Sequence, residues 1–194
     1  MSLHTLSTRM IEPSVTEYPS AVPISAPHPR PVLRPPRVGD AAQIWRIARD
    51  SRVLDTNSSY AYLLWCRDFA NTSVVAEIGG RVVGFVIGYL RPQTPETVFV
   101  WQVAVEHEHR GHGLGAALLD TLLDAAAGAG VSTLETTIAA DNTASIAMFA
   151  SVARRRSARM TKQPVFDSEL FPDSHAAEDL YLITPTARKQ EDRR

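Results

Sequence analysis

The apolar positions of this chain alternate between two periods. Residues 73–78 and 81–90 are rich in β-branched and aromatic side chains, and Gly79-Gly80 separates them. That pattern predicts two strands joined in a tight hairpin. A longer run, Thr97 to Val105, predicts a third strand. Leu114, Leu118, Leu119, Leu122 and Leu123 then recur at helical spacing, so 114–129 reads as an amphipathic helix that ends at Gly128 and Gly130. A strand over 131–138, a helix over 142–153 and closing strands over 158–166 and 179–184 follow. Upstream, Val32-Leu33 is a short strand. Asp40 is placed to cap a helix over 41–52, with Ile44, Trp45, Ile47 and Ala48 on one face. After the polar loop Asp55-Thr56-Asn57-Ser58-Ser59, a second helix spans 60–69. The order β-α-α-β-β-β-α-β-α-β-β describes an α/β domain around a mixed sheet.

Composition narrows the setting. Residues 1–30 carry Pro13, Pro19, Pro23, Pro27 and Pro29 among polar residues, and are expected to form a disordered arm. Residues 31–184 make one domain, and 185–194 a charged flexible tail. A net charge of -1 gives no electrostatic reason to expect a nucleic-acid or membrane partner. No apolar run approaches the ~20 residues of a membrane span. The single cysteine, Cys66, excludes an intrachain disulfide framework and fits a reducing compartment, so the cytoplasm is the expected location. Cys66 lies in the apolar stretch Ala61-Tyr62-Leu63-Leu64-Trp65 and reads as a core residue rather than a nucleophile.

The candidate chemistry begins at Arg110-Gly111-His112-Gly113-Leu114-Gly115, between the strand ending at Val105 and the leucine-rich helix. Strand, glycine turn and helix N-terminus together make an anion cradle, because the first amides of the helix lack internal partners and carry the positive end of its dipole. Arg110 adds a positive charge at the mouth. No Gly-Lys-Ser/Thr ending is present, and the glycines alternate rather than follow Gly-x-Gly-x-x-Gly. Both the Walker A and the dinucleotide fingerprints are therefore excluded.

The Arg-x-x-Gly-x-Gly spacing resembles the acetyl-CoA loop of the GNAT superfamily of N-acetyltransferases. The resemblance runs from about Val32 to Ile183 and implies the GNAT fold: a mixed, mostly antiparallel sheet, splayed at the acetyl-CoA strand and flanked by helices. It implies a pyrophosphate cradle at Arg110, Gly111, His112, Gly113, Leu114 and Gly115, and a pantetheine-facing strand end at Val103, Ala104 and Val105. Asp141 or Asn142 reads as a helix N-cap in its own right, and the resemblance implies that Asn142 touches the cofactor arm. Phe149 stands where many members carry a tyrosine that protonates the leaving thiolate. Phenylalanine donates no proton, so the thiolate must leave unassisted or find another acid. No metal is expected.

A narrower resemblance rests on four segments in order: Leu54 to Tyr60, Val100 to Val105, Leu134 to Ile138 with Asp141-Asn142, and His175 to Tyr181. Together they are similar to the family that acetylates the γ-amine of L-2,4-diaminobutyrate in ectoine synthesis. That resemblance implies substrate contacts at Asp55, Tyr60, Trp101, His175 and Glu178, and a homodimer. Asn57 and Gln102 could add neutral hydrogen bonds. Attack on a thioester needs a neutral amine, so a carboxylate must take a proton; Glu178 is our choice, with His175 to orient or relay. Asp55 suits the second ammonium, and Tyr60 and Trp101 suit a cation-facing wall.

Each residue also has a plainer reading. Asp55 can cap a turn, Tyr60 and Trp101 can be core, and His175 with Glu178 and Asp173 is too sparse for a metal site. His107, His109 and His112 at the cradle's entrance read as a solvated face or as a contact with the CoA phosphates, and Arg154-Arg155-Arg156 as a helix end or a weak CoA contact. Two further functions stay open at this point: acetylation of another small diamine or polyamine, and a silent acyl-CoA-binding module.

Overall fold

The hairpin residues Gly79 and Gly80 take φ of 57° and 80°, the left-handed pair that a two-residue turn between twisted strands requires. In the computed structural model, which describes residues 30–173 and 175–186, this hairpin supplies the second and third strands of a seven-stranded sheet. The strands are β1 (Val32–Arg34), β2 (Ser73–Ile78), β3 (Arg81–Arg91), β4 (Thr94–Val105), β5 (Thr133–Ala139), β6 (Ala158–Phe166) and β7 (Glu178–Pro185). Their spatial order is β1-β2-β3-β4-β5-β7-β6. Every neighbouring pair is antiparallel except β4 and β5. The proline-rich arm falls outside the described residues up to position 29, as does the tail from 187 onward.

Four helices cover the sheet: α1 (Ala41–Ser51), α2 (Ser59–Asp68), α3 (Leu114–Ala127) and α4 (Thr143–Arg155). Alternation along the strands sends side chains to two separate cores. Val74, Val86, Val98 and Val100 meet Leu118, Leu119 and Leu122 of α3 and Phe149 of α4. Val75, Phe85 and Ile87 meet Ile44 and Ala48 of α1 and Tyr62 and Cys66 of α2. Burial pushes the Cys66 thiol up to about 11, which removes it as a nucleophile at neutral pH. None of the described helices is long and apolar enough to cross a membrane.

The helix expected over 41–52 forms, but Asp40 does not cap it through its side chain. A short 3-10 turn, Val38–Asp40, precedes α1, and the Asp40 carboxylate accepts from the Arg37 N–H at 2.6 Å and from Arg34 Nη1 at 2.7 Å. Arg34 also holds Glu77 of β2 at 2.6 Å. A partly buried guanidinium on β1 outbids the cap because a charge-assisted bond exceeds one to a backbone amide.

Two features of β4 shape the site. Its parallel pairing with β5 covers only Thr97–Phe99 against Thr133–Glu135, although both strands continue beyond it. The sheet therefore splays after Phe99, as the fold resemblance implied. On its other edge, Ile87 pairs with Gln102 and Gly88 with Val100, which leaves Trp101 as the extra residue of a bulge. Gly88 is required there: a Cβ would meet the Phe99 carbonyl oxygen at 2.5 Å.

Candidate active site

The splay opens a cavity of about 1080 Å³ between the diverging halves of β4 and β5. That is room for an extended cofactor arm together with a small substrate. The 52–57 loop, the start of α4 and the segment 166–178 complete its walls.

At one side, the glycine loop enters α3. Gly111 and Gly113 take φ of 82° and 76°, and a Cβ on either would meet nothing within 4 Å. Their lack of side chains serves conformation and access rather than packing. Gly115 differs: a Cβ there would lie 2.6 Å from Met148 Sδ, so this glycine lets α3 pack closely on α4. The amides that open α3 behind Gly113 suit a pyrophosphate. Arg110, expected to offer charge at the mouth, is exposed there and donates from Nε to the Val105 carbonyl at 2.9 Å, which straps the loop to the end of β4. His107 and His109 sit in a 3-10 turn before the loop. Arg155 and Arg156 are committed to α3, at 2.7 Å from Asp120 and 2.8 Å from Asp124, so neither is a free anion contact.

Asn142 does cap α4: its Oδ1 accepts from the Ser145 N–H at 3.1 Å. It also lines the cavity, with its amide NH2 as the remaining donor. Phe149 is 2% exposed, part of the α3/α4 core and of the cavity wall.

The opposite wall gathers the polar residues. His175 Nε2 lies 2.9 Å from Asp55 Oδ2 and 4.0 Å from Glu178 Oε1, while Nδ1 lies 2.8 Å from the Ala176 carbonyl. The His175 ring stacks on Phe171, centroids 4.3 Å apart. The bond to Ala176 and the nearby Asp55 and Glu178 charges raise the imidazole above its usual range. Glu178 opens β7 opposite Ala139.

Behind Asp55 runs a buried support. Gln102 Nε2 donates to the Asp55 carbonyl at 2.8 Å, and the Tyr62 hydroxyl donates to Gln102 Oε1 at 3.0 Å. Burial pushes the Tyr62 phenol up, which keeps it a neutral donor. Both ends of the Gln102 amide are thus used in holding the loop. Asn57 Nδ2 adds a long contact of 3.4 Å to the same carbonyl.

Trp101 stands on its bulge at the cavity wall, 38% exposed and 4.8 Å from Trp65. Tyr60 does not join it. It is 65% exposed on the first turn of α2, away from the cavity lining, and Trp65 supplies aromatic wall instead. Two positions, about half a helical turn, separate an exposed from a buried tyrosine here, and the sequence alone did not mark which of Tyr60 and Tyr62 turned inward. Phe166, Phe171 and Arg91 also line the cavity and were not singled out from sequence. The aromatic pair Phe166 and Phe171, a few residues before His175, was the available signal.

The fold, the loop and the cavity define an acetyl-CoA-dependent N-acetyltransferase. Residues 41–153 match the model of the Acetyltransferase (GNAT) family, and the chain belongs to that family. Within it, the chain is 63% identical to L-2,4-diaminobutyric acid acetyltransferase of Nocardia farcinica over 191 residues, covering 97% of this chain and 99% of that protein. It is 57% identical to the protein of the same name from Streptomyces coelicolor over 153 residues, 77% of this chain and 90% of that one. Among solved structures it is similar to diaminobutyrate acetyltransferase EctA from Paenibacillus lautus in complex with its substrate L-2,4-diaminobutyric acid and coenzyme A. The TM-score is 0.78 with 38% identity, covering 81% of this chain and 96% of that one.

Proposed function

We propose that this chain acetylates the γ-amine of L-2,4-diaminobutyrate, giving N-γ-acetyl-diaminobutyrate for ectoine synthesis, by direct attack within a ternary complex. The observation that carries this reading is the single cavity joining the splay of β4 and β5 to the Asp55–His175–Glu178 cluster.

Acetyl-CoA supplies an activated acyl group whose thiolate is a competent leaving group, with a thiol pKa near ~8.5. The residues present suit it. Gly111 to Gly115 and the first amides of α3 cradle the pyrophosphate, and Asn142 offers its NH2 to the arm. Backbone N–H groups of β4 on the edge that β5 leaves, at Val103 and Val105, are placed to polarise the acyl oxygen, while that of Ala104 faces β3. Glu178 takes the proton from the γ-ammonium, directly or through water. His175, bonded to acceptors at both ring nitrogens, orients Asp55 and Glu178 rather than acting as a base. Asp55 presents negative charge to the second ammonium, and the Trp101 ring walls the pocket.

The same reading takes the chain to be a cytoplasmic homodimer. The exposed Val165 on the edge strand β6 supports a self-contact, and a lone buried Cys66 is in keeping with the compartment.

The deciding experiment follows acetyl-CoA consumption with L-2,4-diaminobutyrate and reads the acetylated position by NMR. Turnover to the γ-acetyl product is expected. Turnover with ornithine, lysine or polyamines but not diaminobutyrate overturns the substrate, and tight acetyl-CoA binding without transfer to any amine overturns the activity.

A further inference from the structure

A small zwitterionic substrate needs a cation for its α-carboxylate, and the cluster described above offers none that is free. Among the described residues, the cations lining the cavity are Arg52, Arg91 and His175. His175 is engaged by Asp55 and Ala176. Arg52 is exposed on the loop after α1, in the left-handed region at φ 55°. Holding it against a ligand would cost side-chain entropy with little gain in that solvated position.

Arg91 differs on each point. It is the last residue of β3, so its backbone is held by the sheet. Its Nε is buried and lies 3.5 Å from the equally buried Glu135 Oε2, yet neither atom has a hydrogen-bond partner among the described residues. A buried Nε and a buried carboxylate oxygen 3.5 Å apart leave hydrogen-bonding capacity unused, while the Arg91 side chain as a whole is 39% exposed and keeps its other N–H groups open. Its place in the sheet says what those groups can meet. Glu135 pairs with Phe99, the last pairing before β4 and β5 diverge, so the Arg91–Glu135 pair sits at the apex of the splay. Glu178 faces Ala139, four residues further along β5, at about 13 Å of strand. The amine held near Glu178 and a carboxylate reached by the long Arg91 side chain thus bracket one short diamino acid.

Resting on the proposed substrate reading, we infer that Arg91 is the anchor for the α-carboxylate of the diamino acid, with Glu135 as the positioning residue that holds its guanidinium at the apex. The site thereby selects an amino acid over the plain diamine of the same chain length. A guanidinium fork suits a carboxylate better than an ammonium does.

The test compares L-2,4-diaminobutyrate with 1,3-diaminopropane, which lacks only the carboxylate. Wild-type enzyme is expected to prefer the amino acid in kcat/KM. Arg91→Gln is expected to shrink that preference by about 10- to 100-fold, chiefly through KM for the amino acid. Arg91→Lys is expected to restore part of it, and coenzyme A binding to each variant verifies the fold. Equal losses on both substrates, or a preserved preference, overturn the anchor while leaving the acetyltransferase reading intact. Failure of the wild-type enzyme to acetylate diaminobutyrate overturns both.

Discussion

His175 reaches across 120 positions of sequence to place Nε2 2.9 Å from Asp55 Oδ2. Its other nitrogen lies 2.8 Å from the Ala176 carbonyl. Two acceptors on one ring are both satisfied only when each nitrogen carries a proton, so the contact belongs to the imidazolium. The bond to Ala176, aided by Asp55 and Glu178, raises the folded-state pKa above the ordinary 6.5. The stability this contact contributes is therefore complete below pH 6.5 and is lost as pH climbs through the raised value. Melting temperatures of wild type and His175→Gln, measured from pH 5.5 to 9, should converge as pH rises. A constant difference would show that the charged contact is absent.

Glu178→Gln removes the proposed base while keeping the shape of the side chain. We expect kcat to fall by about 10²- to 10⁴-fold. Coenzyme A affinity, read by calorimetry, should not change, because Glu178 stands on the amine side of the cavity. An unaltered kcat at saturating diaminobutyrate removes Glu178 from the role.

Tyr62→Phe leaves the buried Gln102 Oε1 without its donor. The expected cost is about 1–3 kcal/mol of stability by urea unfolding. Since Gln102 holds the Asp55 carbonyl, KM for the amine should rise as well. A loss of stability with an unchanged KM would mean that the loop keeps its position without this support.

Arg34→Met strands Asp40, whose side chain is only 9% exposed. Breaking one side of such a pair costs about 3–5 kcal/mol. Burial pushes the Asp40 carboxyl up, but the bonds from Arg34 and the Arg37 N–H outweigh it and hold it below its ordinary 3.8. The contribution is present above pH 3.8 and lost as pH falls through the lowered value, so wild type and variant should approach each other in acid. A stability gap that persists in strong acid would contradict this origin.

Gly113→Ala forces a Cβ into φ 76° at the entry to α3. The strain amounts to about 1–2 kcal/mol. We expect KM for acetyl-CoA to rise while KM for the amine stays level, in steady-state kinetics with each substrate varied. A matching rise in both would place the glycine outside the cofactor site.

Local rules carried much of the fold. Alternation of apolar residues, the Gly79-Gly80 pair and the leucine spacing of α3 act over a few neighbours, and they determined strand, turn and helix from sequence alone. The glycine loop was legible for the same reason: phosphate cradling is backbone geometry within six residues. Tertiary structure decided whatever depended on a distant partner. Asp40 reads as a cap until Arg34 claims it, because two charges in a partly buried site outweigh one amide bond. The strand pattern by itself reads Trp101 as core, the family resemblance put it at the pocket, and the bulge beside Gly88 is what carries it to the cavity wall. Arg91 lies just past the strand expected over 81–90, and only the register of β3, β4 and β5 brings it to Glu135 at the point where the sheet divides. Periodicity records which face a side chain takes, but not what waits on that face, and the charge pairs of this site are made between segments that meet only when the sheet closes.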